Sequence, residues 1–418
     1  MSDFKYALRV LLKSPAFTIV AVLTLALGIG ANTAIFSIIH AVLLRPLPYP
    51  EPERIMALQE TSVAQEFSLA FPDYLDWRRD NTVFENLAVT RADSRNLSGI
   101  PGRGPERISA ASVTANLFKV IGLPAQLGRT FTDEEDRVGG PQLIVISDRL
   151  WQRAFHRDPG VLGRAVIFDA RPATVIGVMP PAMTFPQQTD AWFPIMRRSA
   201  NPGWMNRANH PLMFAWGRLK PGVTLAQARA EMATISARLD KEYPETNAGV
   251  RAAVKPLLEN LVGGYRNNLT LLLGAVGLVL LIACANLANL FAARGAARAR
   301  EFAIRAAVGA SRGRIVRQLL LESSIVASLG GALGFLIAVW SRDALIALGP
   351  AGVARFQEVS FDGRVLTFSF LLAGLTSLLF GLSPAWGASH ADLQLALKSG
   401  SAQSSDSRSA RRSRDWLV

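Results

Sequence analysis

Four stretches of the 418-residue sequence carry no Asp, Glu, Lys or Arg: residues 14–44, 267–293, 323–341 and 365–391. A bilayer core of about 30 Å is crossed by roughly 20 helical residues rising about 1.5 Å each, so every stretch is long enough to span. The third is the most diluted, by Ser323, Ser324, Ser328, Gly330, Gly331 and Gly334. The first exceeds the apolar core of a signal peptide, and no small-residue cleavage site follows it promptly, so it reads as a retained span. The fold class this predicts is an α-helical membrane protein with four transmembrane helices and one large insert between the first two.

Composition agrees with that reading. Half the residues are hydrophobic and the mean hydropathy is +0.23, which excludes a disordered or collagen-like chain. The single Cys, Cys284, lies in the second stretch, which excludes a disulfide scaffold or a Cys-rich zinc module. The formal net charge is +13. Such an excess suggests nucleic acid only when the basic residues share a soluble surface. Here they flank the apolar runs, so no nucleic-acid partner is expected and the lipid bilayer is.

The flanking charges set an orientation through the positive-inside rule. Lys5, Arg9 and Lys13 precede span one, and seven arginines from Arg294 to Arg317 lie between spans two and three. The loop 342–364 is balanced, and the tail holds Lys398, Arg408, Arg411, Arg412 and Arg414. The expected layout is a cytoplasmic arm 1–14, span one at 15–44, and an extracytoplasmic domain 45–266. Span two at 267–293 then leads to a cytoplasmic segment 294–322, span three at 323–341, an outer loop 342–364, span four at 365–388, and a cytoplasmic tail 389–418. Both termini are thereby cytoplasmic.

The insert has the patterning of a mixed α+β domain. Residues 142–146 read as a strand, 147–156 as a helix capped by Ser147, and 165–168 with 173–178 as a hairpin turned by 169–172. Thr224 caps a helix over 225–243 whose Ala228, Met232, Ile235 and Leu239 form an apolar face, before Pro244 breaks it. Span one is overlong, and its excess over 34–44 either projects as a stalk or belongs to a tilted span.

A search for catalytic chemistry finds none. None of the seven lysines follows a Gly, so there is no phosphate loop and the chain is not itself a conventional ATPase. His40, His156, His210 and His390 are scattered, no nucleophile elbow occurs, and the Cys lies within a span. No catalytic, cofactor or metal residue is therefore assigned. The acidic run 133–136 lacks the calcium-loop pattern and reads as a first helical turn after Thr132. Asn32, Asn286 and Asn289 are intramembrane polar residues suited to interhelical hydrogen bonds, and Gly330 with Gly334 gives a small-residue packing face. With no charge in any span, transport coupled to ions by intramembrane carboxylates is disfavoured.

The segment after span two is the most informative. Glu301 and Arg305 form an i, i+4 pair, Phe302 and Ile304 supply apolar surface, Gly309 can end a short helix, and Ser311 can cap the next. Such an amphipathic helix either lies on anionic lipid or docks a cytoplasmic partner.

Arg298, Glu301, Phe302, Ile304, Arg305, Ala307, Gly309 and Ala310, at their spacing here, resemble the cytoplasmic signature of MacB/FtsX-type ABC permeases. Three further stretches resemble that family: 23–36, which contains Gly28, Gly30 and Asn32; 44–50; and 147–151 through 176–180. The resemblance implies a MacB-like periplasmic core domain in the insert. It implies that Arg298, Glu301, Phe302, Ile304, Arg305, Gly309 and Ala310 couple to a separate cytoplasmic ATPase, which would hold ATP and Mg. It also implies export by mechanotransmission from the bacterial inner membrane, with a second permease half or a homodimer partner and a possible periplasmic adaptor. Helix packing falls to Gly28, Gly30, Asn32, Gly330 and Gly334. The 43–50 stretch and the 391–400 tail resemble the N-terminal half of duplicated acidobacterial-type permeases, in which a Ser/Gly/Arg-rich linker over 399–413 would lead into a second half beginning near Trp416. The other class that fits is a membrane-anchored extracytoplasmic sensor or ligand-binding protein without transport activity.

Overall fold

The computed structural model describes residues 3–62, 65–298, 304, 312–348, 355 and 359–390. It contains two compact units, a membrane unit and an inserted domain spanning Arg45–Tyr265. In chain order the first elements are α1 (Asp3–Leu12) and α2 (Pro15–Ile39), the latter continuing into a π-helical turn at His40–Leu44. The inserted domain follows with β1 (Ile55–Thr61), β2 (Glu66–Phe67), α3 (Phe71–Asp80), β3 (Phe84–Ser98), β4 (Glu106–Val113), α4 (Leu117–Ile121) and β5 (Leu127–Gly128). It continues through β6 (Leu143–Ser147), α5 (Asp148–Phe155), β7 (Ala165–Phe168), β8 (Arg171–Met179), β9 (Ala191–Pro194), β10 (Phe214–Leu219), α6 (Leu225–Glu242), α7 (Pro244–Asn247) and β11 (Arg251–Pro256). The remaining helices are α8 (Leu257–Ala297), α9 (Arg312–Trp340), α10 (Arg342–Leu348) and α11 (Gly363–His390).

Four helices are long and apolar enough to cross a membrane: Pro15–Leu44, Leu257–Gly295, Val316–Trp340 and Gly363–Gly381. They are referred to as spans one to four.

The domain is built on a mixed sheet in the order β11-β1-β10-β3-β4-β9-β6-β8-β5, with β2 beside β1 and β7 beside β3 and β8. Most neighbours are antiparallel, but β4–β9 and β6–β8 are parallel. Side chains alternate across β1: Ile55 and Ala57 enter one core with Trp192 and Trp216, while Met56 and Leu58 enter another with Tyr74 and Trp77. Both faces of this strand are therefore covered, so it lacks the polar alternation of a half-exposed strand. The apolar face of α6 seals the second core, where Ala228, Met232, Ile235 and Leu239 are all buried.

Local sequence explains the element ends. Ser147 accepts from Leu150 N at 3.1 Å and caps α5. Thr224 and Gln227 form a reciprocal capping box on α6, whose C-cap is Tyr243 with Pro244 immediately beyond. The β7–β8 turn is tighter than its sequence suggests. Arg171 and Pro172 already pair with Phe168 and Ile167, leaving Asp169 and Ala170 to turn with φ of 46° and 63°. Two such left-handed residues match the right-handed strand twist, and Asp169 is fixed there by accepting from Asn96 N at 3.0 Å.

Two other expectations are corrected. The acidic run 133–136 is a turn rather than a helix. Its Asp136 is buried and accepts from Ala115 N and Met196 N, so the carboxylate stitches two loops instead of facing a helix dipole. The 34–44 end of span one does not stand alone as a stalk. Phe36 stacks on Phe368 of span four at 3.9 Å between centroids, and Arg355 Nε donates to Ala41 O.

The helix of span three begins at Arg312, well before residue 323, so Arg317 and Glu322 lie on it. The helix is thus longer than the uncharged stretch 323–341, and its added N-terminal part carries charge. The apolar run marked where a helix can meet lipid, whereas the helix itself begins earlier and includes the buried Gln318, Leu319 and Glu322.

Candidate coupling and helix-packing site

Spans one and three meet through glycines. A Cβ built on Gly30 would lie 2.9 Å from Gly334 O, and one on Gly334 would lie 2.7 Å from Ala26 O. A Cβ on Gly330 would lie 2.7 Å from Leu25 Cβ, and one on Gly331 would press on Ala373 of span four. Backbone and Cβ atoms cannot swing aside as a side-chain tip can, so these contacts require glycine. Without a hydrophobic drive between helices in lipid, such close approach supplies the dispersion contact that holds them together. Sequence reasoning placed Gly330 and Gly334 on a packing face; the structure sets Gly334 against Gly30 and Ala26, and Gly330 against Leu25.

Span two is held differently, at separate points. Asn32 Nδ2 donates to Gly28 O within its own helix and to Val276 O of span two, each at 2.9 Å. A Cβ on Gly28 would lie 2.8 Å from Leu280 Cδ1. Nearer the other end, Phe291 meets Phe17 edge-on at 5.0 Å and Phe380 at 5.4 Å. Among the described residues Asn286 and Asn289 show none of the expected interhelical bonds, and both lie on the exposed side of span two.

At the end of span two that leads into residues 299–311, two arginines turn inward. Arg294 donates to Val10 O at 2.9 Å and to Ser14 Oγ at 3.1 Å, with its guanidinium 4.5 Å from the Phe17 ring centroid. Arg298 donates to both oxygens of Glu322, at 3.2 and 3.3 Å. Glu322 is only 1% exposed and also accepts from Gln318 Nε2 at 3.1 Å. A carboxylate this buried needs its partners, since leaving one unpaired away from water is costly.

Of the residues assigned to ATPase coupling, Arg298 and Ile304 fall within the described part. Arg298 is engaged inside the protein, and Ile304 is 56% exposed. Glu301, Phe302, Arg305, Gly309 and Ala310, and the short helix expected to end at Gly309, lie outside the described residues. Ser14, Gln318 and Glu322 were not singled out from sequence. The available signal was Glu322 itself, a lone carboxylate bordering a long apolar run.

The inserted domain has a polar cluster of its own. Glu60, 1% exposed, accepts from Ala70 N and lies 2.8 Å from His210 Nε2. Asp73 beside it binds Arg207 and accepts from Asn247 Nδ2. Burial pushes the Glu60 carboxyl from an ordinary 4.5 up to about 7, against the opposing bond from His210. That same bond to Glu60 raises the His210 imidazole. Burial likewise lifts Asp136 to about 6. Elsewhere in the domain, Ser147, Arg149, Pro180, Met183 and Thr184 help line an open cleft of about 290 Å³.

Comparison with known proteins decides the family. Residues 18–235 match the family described as MacB-like periplasmic core domain. The chain belongs to the MacB/FtsX-type permeases. A second match, to the FtsX-like permease C-terminal family over residues 273–393, covers the remaining spans of this MacB/FtsX-type chain. Similar curated proteins include the macrolide export ATP-binding/permease protein MacB of Escherichia coli (strain K12) and that of Shigella flexneri. Each is 27% identical over 314 residues, covering 73% of this chain and 45% of the relative. The MacB/FtsX-type permease described here therefore spans a little under half the length of those relatives. Among solved structures, the periplasmic region of MacB from Actinobacillus actinomycetemcomitans is similar with a TM-score of 0.38 and 16% identity, over 51% of this chain and 93% of that one. The extracellular domain of the noncanonic ABC-type transporter YknZ from Gram-positive bacteria has a TM-score of 0.36 and 16% identity, over 48% and 99%. Four apolar helices and a MacB-like periplasmic core domain fit a protein of the bacterial inner membrane.

Proposed function

We propose that this chain is the transmembrane subunit of an ABC-type transporter whose ATP and Mg are held by a separate cytoplasmic ATPase. The observation that carries the reading is the pairing of a MacB-like periplasmic core domain with an FtsX-like permease region in one chain. No Gly-Lys-Ser/Thr phosphate loop lies within these 418 residues, which agrees with an engine outside them. In this reading the termini and residues 294–322 face the cytoplasm and the inserted domain faces outward. Nucleotide binding moves the ATPase, the 298–310 segment follows, and spans one and two carry the displacement to the domain by mechanotransmission. Export is the direction that fits, with a second permease half or a second copy completing the membrane unit and a periplasmic adaptor as a further candidate partner. The chain itself needs no cofactor.

The test is reconstitution of the full chain with candidate ABC ATPases, reading ATP hydrolysis. Stimulation that disappears in Glu301→Arg and Gly309→Leu supports the reading, and stimulation insensitive to both contradicts the assigned coupling segment. A second reading, a membrane-anchored sensor, is favoured by the cleft beside α5, which approaches the size of a small-ligand pocket. It predicts ligand-dependent changes at Arg149 and no response to any ATPase.

A further inference from the structure

The two inward arginines of span two go beyond the coupling signature. In the family-based reading Arg298 belongs to the surface that meets the ATPase. Its guanidinium is instead spent on Glu322, a carboxylate almost wholly removed from solvent on span three. Four residues earlier, in the last turn of α8, Arg294 reaches Val10 O of α1, Ser14 at the α1–α2 junction and the ring of Phe17 in span one. Arg298 directly follows the last residue of α8, and its N–H still bonds Arg294 O at 3.2 Å, so the pair stays one turn apart and forms a two-pronged fork where span two ends. One prong engages span three, and the other engages α1 and the start of span one.

The rest of span two makes this fork consequential. Many large side chains along it are exposed, among them Leu271, Leu278, Val279, Leu281 and Ile282. Its other fastenings among the described residues include the Asn32 bond to Val276 O, the Leu280 contact with Gly28, the buried Cys284 and Leu287, and the rings around Phe291. Among the described residues no close glycine seam like that between spans one and three fixes it. The charged fork is therefore the polar fastening at the end where the chain enters residues 299–311. Arginine suits this place because its several N–H donors can bind two acceptors at once and it stays charged when covered.

We propose that Arg294 and Arg298 are positioning residues that clamp the 299–311 end of span two to span three through Glu322, and to α1 and span one through Val10 and Ser14. A displacement of the 299–311 segment is thereby delivered to all of these elements together rather than bending span two alone. This rests on the coupling reading above for its purpose, but the clamp is a property of the chain by itself and is tested without any ATPase.

The experiment uses the full chain in lipid nanodiscs, with Cys284→Ala as background and spin labels at Ala292→Cys on span two and Arg314→Cys on span three. The parent should give one narrow distance distribution. Arg298→Glu and Glu322→Arg should each lose it, and the double variant Arg298→Glu/Glu322→Arg should regain it. That rescue distinguishes a charge pair from a general packing defect. Should a reversal not accumulate as folded protein, Glu322→Gln keeps the volume and the Gln318 contact while dropping the charge, and it should broaden the distribution more mildly. For the other prong, Arg294→Met should speed hydrogen exchange in residues 3–14 and leave the 292–314 distance narrow. A distribution that stays narrow in both reversals, or a double variant as broad as the singles, overturns the clamp. Absence of ATPase stimulation with these distance changes intact would instead count against the coupling reading and leave the clamp standing.

Discussion

Asn32 lies on span one, yet one of its amide hydrogens is given to the carbonyl of Val276 on span two at 2.9 Å, while the other goes to Gly28 in its own helix. The residue is 4% exposed, so both donors are satisfied away from water. Asn32→Leu removes the cross-span bond without leaving a donor unpaired. The two carbonyls sit within regular helix and keep their own helical donors. The loss should therefore be modest, roughly 1 kcal/mol or less, in line with polar pairs between membrane helices. Reversible unfolding of the full chain in mixed micelles measures it, and a change above about 2 kcal/mol would show that Asn32 does more than bridge.

The glycine seam makes a sharper forecast. Gly30→Ala and Gly334→Ala place a methyl 2.9 and 2.7 Å from backbone oxygens, so the helices must separate. Overpacking of this kind costs about 1–3 kcal/mol. Gly274→Ala on span two meets nothing within 4 Å and should be neutral or slightly stabilising, because alanine is the better helix former. The same unfolding assay ranks all three, and equal effects would remove the seam from the account.

Acid should strengthen the inserted domain before it weakens it. Glu60 is raised from 4.5 to about 7 and Asp136 from 3.8 to about 6, so the folded state holds protons that the unfolded chain has released. Stability from a raised group is present below its unfolded value and is lost as pH rises to the folded one. His210, raised by its bond to Glu60, titrates together with that carboxyl, so the pair counts once and with the same sign. Hydrogen exchange of β1 and α3 in the full chain should slow from pH 8 to about 5 after correction for intrinsic rates, by an amount on the order of 2 kcal/mol. Below about 4 the trend should reverse as Asp80, Glu135 and Asp169, held low by arginine or backbone donors, take up protons. Glu60→Gln should flatten the slope between 5 and 7, and an unchanged slope would assign the effect elsewhere.

How far the sequence was legible follows from what each residue must satisfy. Spans were plain because lipid tolerates no stretch of unpaired polarity. Ser147 and Thr224 were plain because a cap is a local bargain between a side chain and the next turn. The double-sided strand β1 was not, since Ile55, Met56, Ala57 and Leu58 are all buried and show no alternation. The 133–136 run misled because Asp136 answers to Ala115 and Met196, distant partners that no local pattern announces. Glu322 was hidden for the same reason. Its meaning depends on Arg298, more than twenty residues earlier in the chain, and charge beside an apolar run ordinarily marks where a span ends.

The central claim is that the arginine-rich segment after span two faces the side where an ATPase can reach it, and the inserted domain faces the other. Cysteines introduced at exposed positions in a Cys284→Ala background test it directly, at Gly313→Cys for the segment and Ala226→Cys for the domain. With a membrane-impermeant maleimide on intact bacterial spheroplasts, the account predicts that Ala226→Cys is labelled at once and Gly313→Cys only after lysis. Labelling of Gly313→Cys in intact spheroplasts, with Ala226→Cys protected, would contradict both the topology and the coupling role.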